Sequence, residues 1–307
     1  VNKTFCVVGS LNMDMVTRVS RFPAPGETIS GISFKMFPGG KGANQAVALG
    51  RLGANVEMIG AIGDDVLGSG YRDILRNEKI GVKGLAVMSG IETGTASIEV
   101  TVSGQNHIII VAGANDTVDA AYVERCRPVI ENSDMLLLQL EVPIEANIAA
   151  ARIAKAKNIP VMLDPAPAKP LPNELLSLVS YLTPNETEAA ILSGVDTSTE
   201  DGIREAARAL IKSGVGTVVM KAGKRGAYLV VGNEIRRFPT IDVKVVDTVA
   251  AGDSFNAGLA FALGANKNIE ESIRFANAVG ALSTTKEGAQ VAMPTFAEAD
   301  ALLKASR

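Results

Sequence analysis

A carboxylate at the mouth of a helix is where chemistry first shows in this chain. The stretch Val245-Val246-Asp247-Thr248-Val249-Ala250-Ala251-Gly252-Asp253-Ser254-Phe255-Asn256-Ala257-Gly258 begins as an apolar strand end and passes through a small-residue turn. Apolar residues then recur at Phe255, Leu259, Ala262 and Leu263, which is helical spacing. The amides of Ala250, Ala251, Gly252 and Asp253 would open that helix. Unpaired N–H groups and the helix dipole make such a start an anion site. Gly252 has no Cβ, so a bulky anionic group could approach its backbone. A carboxylate at Asp253 repels that anion. It makes sense as a general base that takes a proton from a hydroxyl about to attack phosphorus. An acid that only stabilises the first turn of its helix would look the same.

The elements that must hold this stretch are those of an α/β protein. The chain has 307 residues, 47% hydrophobic and 21% charged, enough for one large α/β domain or two smaller ones with a sizeable core. A net charge of −3 gives no basic face, which argues against nucleic acid as a partner. No apolar run approaches the roughly 18 residues of a membrane span. The N-terminal residues run straight into a strand, without the pattern of a signal peptide. Cys6 and Cys126 are expected to be buried free thiols, which suits a reducing cytoplasm. His107 is the sole histidine, so a His-cluster zinc site is excluded. Any metal would be hard and oxygen-bound, such as magnesium.

Phe5 to Gly9 reads as a buried parallel strand, with Asn12 and Asp14 at its ligand-bearing end. Both are also ordinary turn residues. Residues 15–38 alternate and break at Pro23-Ala24-Pro25-Gly26, and Thr95 to Val102 alternates cleanly before His107-Ile108-Ile109-Ile110-Val111. These pieces predict an inserted antiparallel β-sheet. Its strand from His107 is apolar on both faces, so either a partner subunit or burial in one core must cover it. Between the pieces, Gly39-Gly40-Lys41-Gly42-Ala43-Asn44-Gln45-Ala46 opens a helix that ends at Gly53. It is no P-loop, because Lys41 is followed by Gly42 instead of Ser or Thr. Its glycines suit a polar ligand against the backbone, or close helix packing. From Val56 onward strands and helices alternate in the βαβ rhythm of a parallel sheet. Glu141 follows one strand, and Asp164-Pro165-Ala166-Pro167 ends another. Asn185 and Glu188 open a helix, either as a capping pair or with Glu188 near a water-coordinated magnesium. Met220 to Ala227 is a glycine-rich turn, equally suited to a nucleotide and to a plain hairpin.

Taken together, Gly39–Ala46 and Asp247–Phe255 resemble the paired signatures of the ribokinase-like (PfkB) carbohydrate kinases. The likeness also covers Gly9–Asp14, Gln139-Leu140-Glu141, Pro184–Glu188 and Lys286–Gln290. The resemblance implies a three-layer α/β sandwich with a mostly parallel central sheet. Residues 1–307 would form a single domain with a β lid from about 14–38 and 95–111. It implies transfer of the γ-phosphoryl group of ATP to the 5-hydroxyl of D-ribose, with Asp253 as base and the amides of Ala250, Ala251, Gly252 and Asp253 as anion hole. Ribose would be held by Asn12, Asp14, Gly39, Gly40, Lys41, Asn44, Glu141 and Asp253, with lid contacts from Ala96 and Ile110. ATP would lie across Asn185, the turn from Lys221 through Gly223 to Gly226, Gly252 and Asn277. Glu188 would serve a magnesium ion. An activating monovalent cation, potassium, would sit near Asp247, Val249, Ser283, Lys286, Gly288 and Ala292. Lid strands would pair two subunits into a homodimer. Two positions depart from the family pattern. Asn277 stands where histidine is common beside the adenine, and Ala292 where a serine helps the cation.

Rival readings are a kinase for deoxyribose, fructose, a sugar acid or a nucleoside on the same scaffold, and a sugar-binding regulatory protein without catalysis. A nicotinamide oxidoreductase is the third, and the lack of a complete Gly-x-Gly-x-x-Gly argues against it.

Overall fold

Strand β1 (Thr4–Val8) is buried from Phe5 onward, and its alternation divides the core. Cys6 and Val8 face one layer of helices while Phe5 and Val7 face the other. A computed structural model describes residues 2–231 and 234–306. After β1 the chain leaves the main sheet through β2 (Asn12–Val19) and β3 (Ser33–Gly39), then returns through α1 (Lys41–Arg51) and β4 (Asn55–Gly63). Next come α2 (Val66–Asn77), β5 (Gly81–Met88), and the second excursion, β6 (Gly94–Thr101) and β7 (Asn106–Val111). The remaining order is α3 (Ala120–Arg125), α4 (Arg127–Glu131), β8 (Met135–Leu138), α5 (Ile144–Ala156), β9 (Val161–Leu163), α6 (Asn173–Leu178) and β10 (Tyr181–Leu182). Then follow α7 (Glu186–Ser193), α8 (Glu200–Lys212), β11 (Thr217–Lys221), β12 (Ala227–Val231), β13 (Glu234–Phe238), α9 (Ala251–Gly264), α10 (Ile269–Ser283) and α11 (Phe296–Ala305).

The main sheet has nine strands in the order β13-β12-β11-β10-β9-β8-β1-β4-β5, all running the same way except β12, which pairs antiparallel with both β11 and β13. From β1 the chain works outward to β4 and β5, then returns to β8 and works the other way. The switch point lies between β1 and β8, where parallel sheets open a crevice at their strand ends. Helices α1, α2, α9 and α10 cover one face and α5, α7 and α8 the other. The second sheet, β3-β2-β6-β7, is the lid. Two of its pairs are antiparallel, as the alternation predicts, but β2 and β6 run parallel because they come from separate excursions.

Several expectations change. Val245 and Val246 are not a strand end; they are over half exposed in irregular chain before α9. The alternation from Thr28 yields a strand only from Ser33. Strands β5 and β13 and the short helix α6 are additions to the sequence reading. All six residues of β7 are exposed in the single chain.

Candidate active site

The start of α9 has the form expected of an anion site. Its N-cap, Ala250, lies in the left-handed region at φ 57° and offers no side-chain cap. A non-glycine residue held there costs on the order of 1–3 kcal/mol, and such strain gathers at functional sites. The tight turn folds the Ala251 amide back onto the Thr248 carbonyl at 3.2 Å. So the donors left free among the described residues are Ala250, Gly252 and Asp253, while Ala251, expected among them, is engaged. At Gly252 a Cβ would meet nothing closer than the Lys221 ammonium, 3.5 Å away. Nothing in the protein itself demands glycine there, and its missing side chain opens the backbone to the cleft.

Asp253 is 4% exposed, and both oxygens are held by α1. Asn44 Nδ2 donates to Oδ2 at 3.0 Å and Gln45 Nε2 to Oδ1 at 3.1 Å. The Gln45 amide also donates to Asp164 Oδ2 at 3.1 Å, and its own oxygen accepts from Gln139 Nε2 at 2.7 Å. That last bond fixes which end of the Gln45 amide faces the carboxylates. Burial pushes the Asp253 carboxyl up to about 6, with Asp164 adding and the Lys41 ammonium and the two amides opposing. A base poised near neutrality suits proton transfer at physiological pH.

Helix α1 can lie this close because Gly42 packs on Gly9, where an added Cβ would come within 2.6 to 2.8 Å of backbone atoms. Close packing is therefore one real use of the glycine run. At the switch point, Glu141 accepts from Ser10 Oγ and from the Lys41 amide, the latter at 3.0 Å. Burial alone would lower the Lys41 ammonium, yet Asp253, Asp164, Glu141 and Glu188 around it outweigh that and hold it above its ordinary range. Gln290 ties Asn44 at 3.3 Å to the Tyr71 hydroxyl at 2.7 Å, and that hydroxyl donates to the Gly39 carbonyl.

The second sheet carries the remaining candidate residues. Asn12 and Asp14 lie two apart on β2 and so share a face. The register sets Asp14 beside Ala96, and Ala96 beside Ile110, so three expected contacts form one row. Asn12 pairs with Gly39 and Gly94, and Asn115 Nδ2 anchors its side-chain oxygen at 2.8 Å. A Cβ at Gly39 would meet the Asp14 carboxylate, so a side chain there would displace that group. Burial pushes the Asp14 carboxyl up to about 7, helped by Glu141 and Asp253, and no hydrogen bond reaches it among the described residues.

Beyond Asp253 the cleft has a volume of about 480 Å³ and takes in Asp164, Asn185, Glu188, Lys221, Gly223 and Gly252. Asn185 and Glu188 form a full capping box on α7, so the capping reading holds, and both also line the cleft. Burial raises the Glu188 carboxyl while Lys221 opposes. Gly226 turns the chain at φ 88° against the Phe238 carbonyl. Asn277 lies behind that turn, with its amide nitrogen on the carbonyls of Phe238 and Pro239, 3.0 Å each. It is absent from the cleft lining.

The loop behind α9 is braced by Asp247, which accepts from the amides of Val249 at 3.0 Å and Gly288 at 2.9 Å. Ser283 Oγ donates to the Gly280 carbonyl at 2.8 Å, Ala292 is buried, and the Lys286 ammonium pairs with Glu298 at 3.6 Å. The carbonyls of Val249, Ser283, Lys286 and Gly288 accept no hydrogen bond among the described residues.

Residues 2–296 match the model of the pfkB family carbohydrate kinases. The chain is 42% identical to a ribokinase of Haemophilus influenzae over 97% of each chain, and 41% identical to a ribokinase of Bacillus subtilis over 98% of this chain and 99% of the other. Among solved structures, that of Arabidopsis thaliana ribokinase complexed with ribose and ATP superposes with a TM-score of 0.94 at 35% identity, covering 99% of both chains. The match over nearly its whole length places the chain in the pfkB family of carbohydrate kinases.

Proposed function

We propose that this chain is an ATP-dependent sugar kinase that transfers the γ-phosphoryl group to the 5-hydroxyl of D-ribose, giving ribose 5-phosphate and ADP. One observation carries the reading. A buried carboxylate with both oxygens fixed stands beside helix amides that are free among the described residues, at a cleft of about 480 Å³ that is also lined by Asn185, Glu188 and Lys221. The relatives named ribokinase and the ribose and ATP in the Arabidopsis structure support the choice of substrates.

In this reading Asp253 accepts the proton of the 5-hydroxyl as its oxygen forms the bond to phosphorus. The bond from the γ-phosphorus to its bridging oxygen breaks, and that electron pair leaves with ADP. Negative charge on the phosphoryl oxygens is met by the amides of Ala250, Gly252 and Asp253, already aimed before reaction. Losing one such donor costs about 10²–10³-fold. Asn12, Asp14, Lys41, Asn44 and Glu141 position the sugar with lid residues Ala96 and Ile110. Asn185, Lys221 and the Gly223–Gly226 turn carry the nucleotide, and Asn277 supports that turn from behind.

Glu188 fits a magnesium ion held through water, because its carboxylate faces the cleft while its capping bonds leave lone pairs unused. Bound magnesium would neutralise phosphate charge. The unpaired carbonyls near Asp247 fit a weakly hydrated monovalent cation such as potassium, holding the anion-hole loop in shape. The exposed apolar lid fits a homodimer. Two free, buried thiols fit a cytoplasmic protein, and no described helix is long and apolar enough to cross a membrane.

Coupled ADP release, with and without acceptor, tests the assignment. ADP should appear with ribose and stay near background without it. Faster turnover of deoxyribose, fructose, a sugar acid or a nucleoside would replace ribose by that acceptor. Ribose binding with no ADP release would favour the regulatory alternative.

A further inference from the structure

Lys221 ends β11 at the rim of the cleft, opposite the opening of α9. Its ammonium donates to Asp164 Oδ1 at 2.7 Å, and the two side chains are only 13% and 3% exposed. A methyl group built on Gly252 would stand 3.5 Å from that ammonium. The cation thus lies over the stretch of backbone whose amides are free. An ammonium carries three N–H groups, and Asp164 takes one. No second acceptor for it occurs among the described residues.

A buried ion pair is weak evidence of stabilisation, because desolvation offsets the attraction. Asp164 alone would also repel a polyanion. The pair makes sense if the carboxylate serves to place the cation. Gln45 strengthens this argument. One amide nitrogen reaches both Asp164 and Asp253, at 3.1 Å each, so the acid that holds Lys221 and the base are set by the same group.

We propose that the Lys221 ammonium is a catalytic group that binds the oxygens of the phosphoryl group in transfer, with Asp164 as the positioning residue that holds it over α9. The proposal rests on the sugar-kinase reading and deepens it. Lys221 donates hydrogen bonds throughout and gives up no proton. Its charge counts most as the phosphoryl oxygens pass between ADP and the sugar.

The test is steady-state kinetics on wild type, K221M, K221R and the double variant K221M/D164N. The single methionine change strands a buried carboxylate and can unfold the chain. The double variant removes that charge as well, and cooperative melting shows that it is folded. Folded K221M/D164N should lose about 10²-fold or more in kcat, with a smaller change in KM for ATP. K221R should recover part of the loss. A folded double variant with wild-type kcat overturns the proposal, since the pair would then be merely structural. If the wild type uses an acceptor other than ribose, the comparison runs with that acceptor and only the ribose assignment falls. A wild type inert with every acceptor overturns both.

Discussion

Asp253 on α9 and Asp14 on the lid strand β2 are carboxylates near enough for the charge of Asp253 to act on Asp14, and they are held in opposite ways. Asp253 has an amide on each oxygen, and those amides are themselves held by Gln290 and Gln139. Asp14 sits on a lid strand with no hydrogen bond among the described residues, although a carboxylate can accept several. The floor is preorganised, as phosphoryl transfer requires, because that chemistry depends on positioning and charge more than on covalent steps. In the proposed reading, the lid side leaves its bonds to be completed by sugar hydroxyls. Damage to the floor should therefore appear in kcat, and damage to the lid side in the choice of sugar.

The largest break expected is at the floor. Asp253→Asn keeps the shape of the side chain and should leave ribose and ATP binding in place, yet kcat should fall by about 10²-fold or more. Near wild-type turnover of the folded variant would remove Asp253 from the role of base.

On the lid side, the comparison sharpens with 2-deoxyribose. A site built to bond a hydroxyl can reject the analogue without it by up to roughly 10⁴–10⁵-fold. A retained water softens that, so about 10²-fold or more in kcat/KM is expected for ribose over 2-deoxyribose. Asp14→Ala should hurt ribose more than deoxyribose and narrow the ratio. Equal kcat/KM for the two sugars on the wild type would sink the ribose assignment.

Acid should separate rate from stability. As the proposed base Asp253 acts only when ionised, so kcat/KM should fall by about tenfold per unit below pH 6. Stability has the opposite sign. Asp14 and Asp253 bind protons more tightly folded than unfolded, so their burial destabilises the protein above about pH 7 and is relieved as pH falls toward 4. Asp14→Asn should accordingly raise the melting temperature at pH 8 and do little at pH 4. A variant that melts lower at pH 8 contradicts this.

Sequence period made most of the floor's scaffold readable, because parallel strands and their crossover helices have distinct spacings. The strand read from Phe5 to Gly9 is β1 (Thr4–Val8), and the helix that Gly39-Gly40 opens is α1 (Lys41–Arg51). What period could not carry was the support of the base. Gln45 reaches Asp164 and Asp253, 119 and 208 positions away, and Gln290 reaches Asn44 across 246. Asn115 anchors Asn12 from 103 positions away. No local pattern encodes such partners; only the fold brings them together. The same holds for Asp164, which reads as the end of a strand until Lys221 lies against it. Val245 and Val246 misled for the reverse reason. Two β-branched residues favour a strand, but the Val246 amide meets only the carbonyl of Thr284 at a helix end, no described strand runs beside them, and they stay exposed.

Behind the floor, the unpaired carbonyls near Asp247 predict a modest effect. At fixed ionic strength, potassium should raise kcat by a few-fold and sodium by less, an increment on the order of 1 kcal/mol in barrier. Equal rates in potassium, sodium and a bulky organic cation would exclude the site.

The smallest effect on rate should come from the outer face of the lid. Strand β7 is the edge of its sheet, and an apolar edge left open invites pairing with another chain. Ile109 is 69% exposed and Val111 56%, and the register puts them on the face opposite Asp14, beside Ser97 and Thr95. Phe34 and Met36 expose more apolar surface on β3. A second copy of the chain would cover such surface. Wild type should then show about twice the 31.9 kDa of one chain by light scattering at micromolar concentration. Ile109→Glu places a charge where apolar contact is expected and should return the mass to that of one chain. Because the base and the free amides lie on α9, kcat should change by less than about threefold, while KM for ribose rises as the lid loses its support. A monomeric wild type would reject the dimer. A monomeric variant with kcat reduced as far as Asp253→Asn would show instead that floor and lid are not separable.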